Sequence, residues 1–430
     1  MISQSSLMVA ARVDRRSADG LRALLATMNF APGQLNAMNS LVPFGELENL
    51  HFARFVILDD QTLDDIQLYG LPPREYPLYL AFLCDFDGAP AEFLTDLVRC
   101  AGPGLRRVFS YCDDFTDGTE LRRWIRDHDA PVATCYVNFR GRTVKQVREE
   151  ARLRQAIRTY LGSNAGALEG QSAEQIRTHV RQFVNTETAA GRLTLTPSAP
   201  TPWGTKISNA VHLLGVGALI ILLLPMVALL VLFRIRPLEE TDPEFAPRPD
   251  SEAVSRLAIL EDHEFTNQFS AMGSMKPGFA RRWVLSYILW VIEWTARHLY
   301  TKGRLARVRT IHFARWVFLD GKKRILFASN YDGSLESYMD DFINKVSFGL
   351  NVVFSNGVGY PRTRWLLAGG ATNEQKFKYF LRRHELPTEV WYNAHPGMSA
   401  VELERNSRIR QGLAAATLSD EAAREWVQLL

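Results

Sequence analysis

Hydrophobic residues along this chain follow two regular periods, and one segment has no period at all. His51–Leu58 and Tyr76–Phe86 are rich in aromatic and β-branched residues, which predicts strands, and Leu7–Val13 reads as a shorter one. Ala18–Met28 predicts a helix. Pro90 opens another, to about Cys100, with Phe93, Leu94, Leu97 and Val98 on one face. Asp87-Gly88 turns the chain between strand and helix. Arg107–Tyr111 reads as a strand, which makes the order β-α-β-β-α-β. A helix (Glu120–Asp127), a strand (Val132–Asn138) and a helix (Val144–Tyr160) follow.

The segment without a period is Val211–Phe233, in which His212 is the one polar side chain. As a helix it covers about 34 Å, enough for a hydrocarbon core of about 30 Å. Pro225 lies mid-segment and either kinks a spanning helix or turns a re-entrant hairpin. Arg192 and Lys206 upstream nearly balance Arg234, Arg236 and Arg248 downstream, so the flanks set no orientation. A second apolar stretch, Trp283–Trp294, is shorter and rich in Trp and Tyr. Its basic surroundings are Arg281, Arg282, Arg297, Lys302, Arg304, Arg307 and Arg309, which suit a helix at a membrane interface; an ordinary core helix packing its apolar face on a sheet fits the stretch equally.

The chain repeats itself. His51-Phe52-Ala53-Arg54-Phe55-Val56-Ile57-Leu58-Asp59 returns as His312-Phe313-Ala314-Arg315-Trp316-Val317-Phe318-Leu319-Asp320, at an offset of 261. Asp85-Phe86-Asp87-Gly88 matches Asn330-Tyr331-Asp332-Gly333 at 245, and His128-Asp129-Ala130-Pro131 matches His384-Glu385-Leu386-Pro387 at 256. Tyr136 and Tyr392, and Arg152–Gln155 and Arg408–Gln411, share that last offset. Blocks in one order with small offset changes imply one duplicated unit. The second copy predicts strands Asn267–Ser274, His312–Leu319, Arg324–Asn330, Val352–Ser355 and Glu389–Asn393. Its helices are Pro277–Tyr300, one capped by Ser334 and running to about Phe348, Glu374–Arg383 and Ala400–Leu413. The expected organisation is a first unit at 1–160, a linker at 161–264 carrying the apolar segment 211–233, and a second unit at 265–430.

Two ferredoxin-like units in one chain resemble the dimeric α+β barrel superfamily, which includes monooxygenases, chlorite dismutases and dye-decolorising peroxidases. The resemblance implies an α+β fold closing as a pseudo-dimeric barrel, an oxidoreductase activity and haem as a cofactor. The peroxidases carry a GxxDG loop with a catalytic Asp. Here Cys84–Gly88 and Ser329–Gly333 keep Asp-Gly and lack the first Gly. If the units pair within one chain, both lie on one side of the membrane. The expected anchor is therefore monotopic or a hairpin, with both units cytoplasmic.

Candidate chemistry sits on the repeated strand. In the second copy His312, Ala314, Trp316 and Phe318 share one face, and Phe313, Arg315, Val317 and Leu319 the other. An arginine on so apolar a strand needs a partner. It either holds an anionic substrate in a barrel cavity or pairs with a carboxylate such as Asp332 or Asp341. His51 and His312 read as buried hydrogen-bonded residues or as a haem ligand or base. Asp87 and Asp332 read as turn and helix-cap residues or as a distal acid-base. The insert Tyr360–Trp365 with Gly369-Gly370, together with Tyr392 and His395, marks where the second copy diverges. The catalytic candidates are therefore His312, Arg315, Asp332 and His395.

Composition narrows the function classes. With 50 basic and 47 acidic residues the formal charge is +3, and basic residues are dispersed, so no nucleic-acid partner is expected. The mean hydropathy of −0.12 averages soluble units with one apolar segment. Cys84, Cys100, Cys112 and Cys135 form no C-x2-C pair, which suits reduced thiols, and the N-terminus lacks a signal peptide's basic region. No H-E-x-x-H, P-loop, G-x-S-x-G or dinucleotide fingerprint is present. Two readings remain. One is a membrane-attached oxidoreductase acting on a lipophilic small molecule; the other is a non-catalytic membrane-surface scaffold or lipid-binding module. The expected partner is the lipid membrane, with a homo-oligomer also open.

Overall fold

Eight strands build two four-stranded antiparallel sheets, and each sheet takes three strands from one half of the chain and its fourth from the other. The structure is a computed structural model describing residues 4–430 other than 302, 304 and 306. Lys302 and Arg304, counted above among the basic flanks, thus lie outside the described residues. The strands are β1 (Gln4–Val13), β2 (Leu50–Leu58), β3 (Leu78–Asp87), β4 (Val132–Val137), β5 (Thr266–Ser274), β6 (Ile311–Leu319), β7 (Arg324–Asp332) and β8 (Thr388–Asn393). The sheet orders are β1-β3-β2-β8 and β4-β6-β7-β5. Asn393 of β8 lies opposite Phe52 of β2, and Val137 of β4 opposite Phe313 of β6.

The two sheets face each other. Met8, Val56, Leu58 and Leu83 of the first pack against Met272, Val317, Leu319 and Leu326 of the second. The seams are bridged as well, at Val9 with Asp129 and at Ala271 with Glu385. The opposite faces carry helices, so these strands are covered on both sides, as their near-continuous apolar sequence requires. On the first sheet lie α1 (Ala18–Ala26), α2 (Pro90–Phe109) and α3 (Leu121–Asp127). Helix α4 (Val144–Ser163) follows β4 behind a Thr143–Gln146 capping box. Helix α5 (Ala173–Ala189), inside the expected linker, packs its Val180 and Val184 with Leu153 and Ile157 of α4 and with Ile409 and Trp426 near the C-terminus.

Two expected strands are helical. Arg107–Tyr111 continues α2 to Phe109, past Pro103, and Val352–Ser355 forms the end of a helix spanning Leu335–Phe354. Both runs are short and apolar, so local propensity leaves them ambiguous. Burial of Val108, Phe109 and Val353 along existing helical faces decides for helix. The fourth strand of each sheet is instead the later segment, Val132–Val137 or Thr388–Asn393.

The apolar segment lies in α6 (Trp203–Leu230), which continues through a π turn (Val231–Ile235) and a final helical stretch (Arg236–Thr241). The helix passes straight through Pro225, so the hairpin expectation is corrected: the chain does not turn there. This helix is long and apolar enough to cross a membrane. It lies antiparallel along α7 (Phe279–His298), which itself packs Leu285 and Leu289 into the core of the second sheet. Contacts run the whole length. Arg297 donates to the Asn209 side chain (2.7 Å), His212 and His298 share a 2.9 Å hydrogen bond, Trp294 donates to the Leu213 carbonyl (3.2 Å), and Tyr287 donates to the Ile220 carbonyl (2.9 Å). Val227 and Ile235 then bury against Val284 and Leu366.

The Tyr360–Trp365 segment fastens the end of this helix. The Glu239 carboxylate accepts from the Thr363 hydroxyl (2.6 Å) and from the Trp365 and Leu366 amides (2.9 and 2.8 Å). Asp242 accepts from buried Lys276 (2.8 Å) and Arg281 (2.6 Å). Burial, reinforced by Arg281, pulls the Lys276 ammonium down to about 8. Trp365 and Leu366 hold left-handed backbone angles (φ 59° and 57°), strain of about 1–3 kcal/mol each. That geometry seats Leu366 in the core and leaves Trp365 and Leu367 on the surface. Charge-assisted bonds contribute about 1.5–3 kcal/mol each. Glu239→Ala should therefore speed amide hydrogen exchange at Trp365 and Leu366 by roughly tenfold or more. Unchanged exchange there would show that the insert is held by other contacts.

Candidate functional site

The four candidates do not meet in one chamber. Arg315 points between the sheets and binds Asp85 of the opposite sheet, with further bonds to the Leu7 (3.0 Å) and Cys84 (3.3 Å) carbonyls. Its partner is neither Asp332 nor Asp341: Asp332 is taken by His312 and the Ala400 amide, and Arg315 reaches across to Asp85 instead. Arg54 reaches the other way, to the Phe269 (2.9 Å) and Ser329 (2.9 Å) carbonyls, the Ser270 hydroxyl (3.0 Å) and Asn330. Each half of the chain thus sends an arginine into the other's sheet, and Asp85 on one side answers to Asn330 on the other. Burial, then Arg315, pushes the Arg54 guanidinium down to about 9. Burial lifts the Asp85 carboxyl above its usual range, while Arg315 and Arg54 pull it back. The cavity left here is about 10 Å³, room for about one water.

His312 and Asp332 do come together, at 2.6 Å, and both are buried. The other Asp332 oxygen accepts from the Ala400 amide (2.7 Å), the first residue of α8 (Ala400–Ala414). The first half repeats this: His51 to Asp87 (3.0 Å), and Asp87 to the Val144 amide (2.7 Å) at the start of α4. These aspartates therefore cap distant helices after the exchanged strands, where a carboxylate gains from the helix dipole. The local helix after Asp332 is capped by Ser334.

His395 joins His51, not His312. Its Nε2 lies 2.9 Å from His51 Nδ1. A carboxylate can only accept, so His51 donates Nε2–H to Asp87, and a single proton bridges His51 Nδ1 and His395 Nε2. His51, His312 and His395 all pack around Phe139 at ring distances of 5.2, 6.1 and 6.0 Å. Burial, with His51 and His312 nearby, holds His395 well below its ordinary value of 6.5. His395 is thus neutral in the fold, whereas the unfolded chain takes up that proton below about pH 6.5. The unfolded state then binds more protons, so this contribution to stability is present above pH 6.5 and is lost as pH falls, by about 1.4 kcal/mol per unit. Urea unfolding at pH 7.5 and 5.5 should show a steeper acid loss for the wild type than for His395→Gln. Equal losses would place the acid sensitivity elsewhere.

Tyr360 and Tyr392, expected near a site, lie in different cores: Tyr360 donates to Asn351 (2.8 Å), and Tyr392 stacks on Phe44. Haem does not fit between the sheets. The space at the two arginines is far too small, and His312 Nε2 is held by Asp332. Sequence reading missed Asp85 as the ion-pair partner, although Asp85 aligned with Asn330 in the matched segments pointed to an asymmetric site.

The open spaces are outside the sheets. A polar cleft of about 910 Å³ is bordered by Arg140, Arg142, Arg181 and Arg410. Arg142 is engaged by Glu150 (3.1 Å), and Arg181 is spent on the Leu413 carbonyl (2.7 Å). A second groove of about 580 Å³ lies between α6 and α7, walled by Leu223, Phe279, Trp283, Tyr287 and Trp290. Among the described residues no group of histidines, cysteines and carboxylates is arranged to hold a metal. No protein-family model matches the chain, and no curated protein matches it.

Proposed function

We propose that this chain is a membrane-surface module: a duplicated ferredoxin-like unit closed as a pseudo-dimeric α+β barrel, resting on a bilayer through a helix that lies in the membrane plane. The reading is carried by the packing of α6 along α7 from Asn209 to Ile235. That is about 39 Å of helix, longer than the hydrocarbon core of about 30 Å. A perpendicular span would drag α7, with Arg282, Glu293 and Arg297, into hydrocarbon along with the sheet behind it, which is costly for charges and for irregular backbone. In the plane, only the outer face of α6 enters. That face is apolar and exposed at Ile207, Leu214, Ile221 and Phe233, and Trp283 and Trp365 add partly exposed aromatic rings, the residues favoured at headgroup depth.

Strand exchange favours both units on one side of the membrane. The four free thiols suit the cytoplasmic side. An oxidoreductase working between the sheets would need a chamber, and the filled interior favours a non-catalytic, lipid-binding role. Flotation of the full-length protein with phosphatidylcholine and phosphatidylglycerol vesicles tests this. Recovery with the vesicles supports it, and recovery in the dense fraction with both compositions overturns it.

A further inference from the structure

We propose that the groove between α6 and α7 binds one anionic phospholipid, its phosphate held between Arg282 and Lys322 and its acyl chain laid against Trp283, Trp290 and Leu223. The proposal rests on the surface reading above and names its ligand. At about 580 Å³ the groove is the size of a small-molecule site. Its lining divides into an apolar wall and two cations. Phe279, Trp283, Tyr287, Trp290 and Leu223 form the wall. Arg282 and Lys322 supply the charge, and no carboxylate lines the groove among the described residues.

One of the two cations is fixed to α7 by a side chain. The Ser286 hydroxyl donates to the Arg282 carbonyl (2.7 Å) and accepts from the Lys322 ammonium (2.9 Å). Lys322, from the turn after β6, is thus anchored on α7 at Ser286, one helical turn from the Arg282 backbone, and both residues line the groove. Neither residue forms an ion pair among the described residues, whereas neighbouring Arg281 and Arg324 pair with Asp242 and Asp320. Lys322 also sits in a turn of three left-handed residues, Asp320, Gly321 and Lys322 (φ 51°, 62° and 64°). Two of these are not glycine, so the turn stores strain at the point that delivers the lysine to the groove.

Two unpaired cations beside a wall of indoles suit a phosphate that carries its own hydrocarbon. A guanidinium and an ammonium together bind phosphate oxygens by charge-assisted hydrogen bonds. Leu223 of α6 lines the groove, and Trp283 of its wall is 38% exposed, so the groove opens at the surface beside the helix that meets the bilayer. An acyl chain leaves it directly into lipid.

The test uses full-length protein and short-chain phosphatidylglycerol, phosphatidylcholine and inorganic phosphate, all below any micelle concentration, read by native mass spectrometry and tryptophan emission. One phosphatidylglycerol per chain is expected, bound roughly tenfold or more tightly than phosphatidylcholine. The doubly substituted Arg282→Gln/Lys322→Gln protein should lose that preference while still floating with phosphatidylcholine vesicles. Equal affinity for the two lipids, or retained preference in the double variant, overturns the site. Inorganic phosphate binding as tightly as the lipid overturns the lipid as ligand. Flotation without a 1:1 adduct sinks this inference alone, and failure to float with any vesicle sinks the surface reading.

Discussion

Asp85→Ala is expected to cost the folded state about 3–5 kcal/mol, because it strands the Arg315 guanidinium between the sheets. Arg315 is buried, and its remaining partners are two backbone carbonyls. Arg54 is close enough that its charge adds to the penalty. A domain's stability is typically about 5–15 kcal/mol, so the variant should stand near its unfolding midpoint in little urea. Replacing both partners, as Asp85→Leu with Arg315→Met, should recover most of the loss. An apolar pair of similar volume needs no compensation, and such replacements are often neutral. Urea unfolding followed by tryptophan emission checks both. If the double variant is as unstable as the single one, packing and not charge holds this point. Because Asp85 and Arg315 sit in opposite sheets, the same measurement reads the cohesion of the two halves.

Much of the fold was legible in local pattern. The strand at His51–Leu58, the helix starts at Ser334 and Pro90, and the alternation that puts Trp316 outward and Arg315 inward are each set by neighbours in sequence. The exchange of β4 and β8 was not legible, since a short apolar strand carries no label for the sheet it joins. Arg315 was read with carboxylates of its own half because sequence proximity suggests them; its real partner is 230 residues away. His395 was rightly singled out as a candidate, yet its contact is His51, 344 residues distant. Hydropathy identified the apolar segment and could not say what lies beside it. Pro225 permits either a turn or a continued helix. Tertiary contacts with Trp294, Tyr287 and Val284 on either side of it select the helix.

Charging the outer face of α6 should abolish vesicle binding while leaving the fold intact. Ile221 and Leu222 are 71% and 72% exposed, so Ile221→Glu/Leu222→Glu removes little protein contact. Each apolar side chain of this size contributes about 1.5–3 kcal/mol when taken out of water. Losing two weakens partitioning by at least about a hundredfold, and the carboxylates add repulsion from anionic headgroups. Retained flotation of this variant would rule out the outer face as the contact. Val227→Glu, on the inner face against Val284, should instead destabilise the protein. Depth separates the two ways of lying in a bilayer. Ile207, Leu214, Ile221 and Leu232 fall on one outward stripe, and single cysteines there, in a background with the native cysteines replaced, accept a fluorescent label. A helix in the plane puts all four labels at one shallow depth, so depth-dependent quenching is uniform. A spanning helix separates the first and last by about 37 Å along the bilayer normal, with the Ile221 position deepest. A graded profile would overturn the in-plane reading, and a flat one would leave Arg282, Glu293 and Arg297 of α7 outside the hydrocarbon, where their charge costs least.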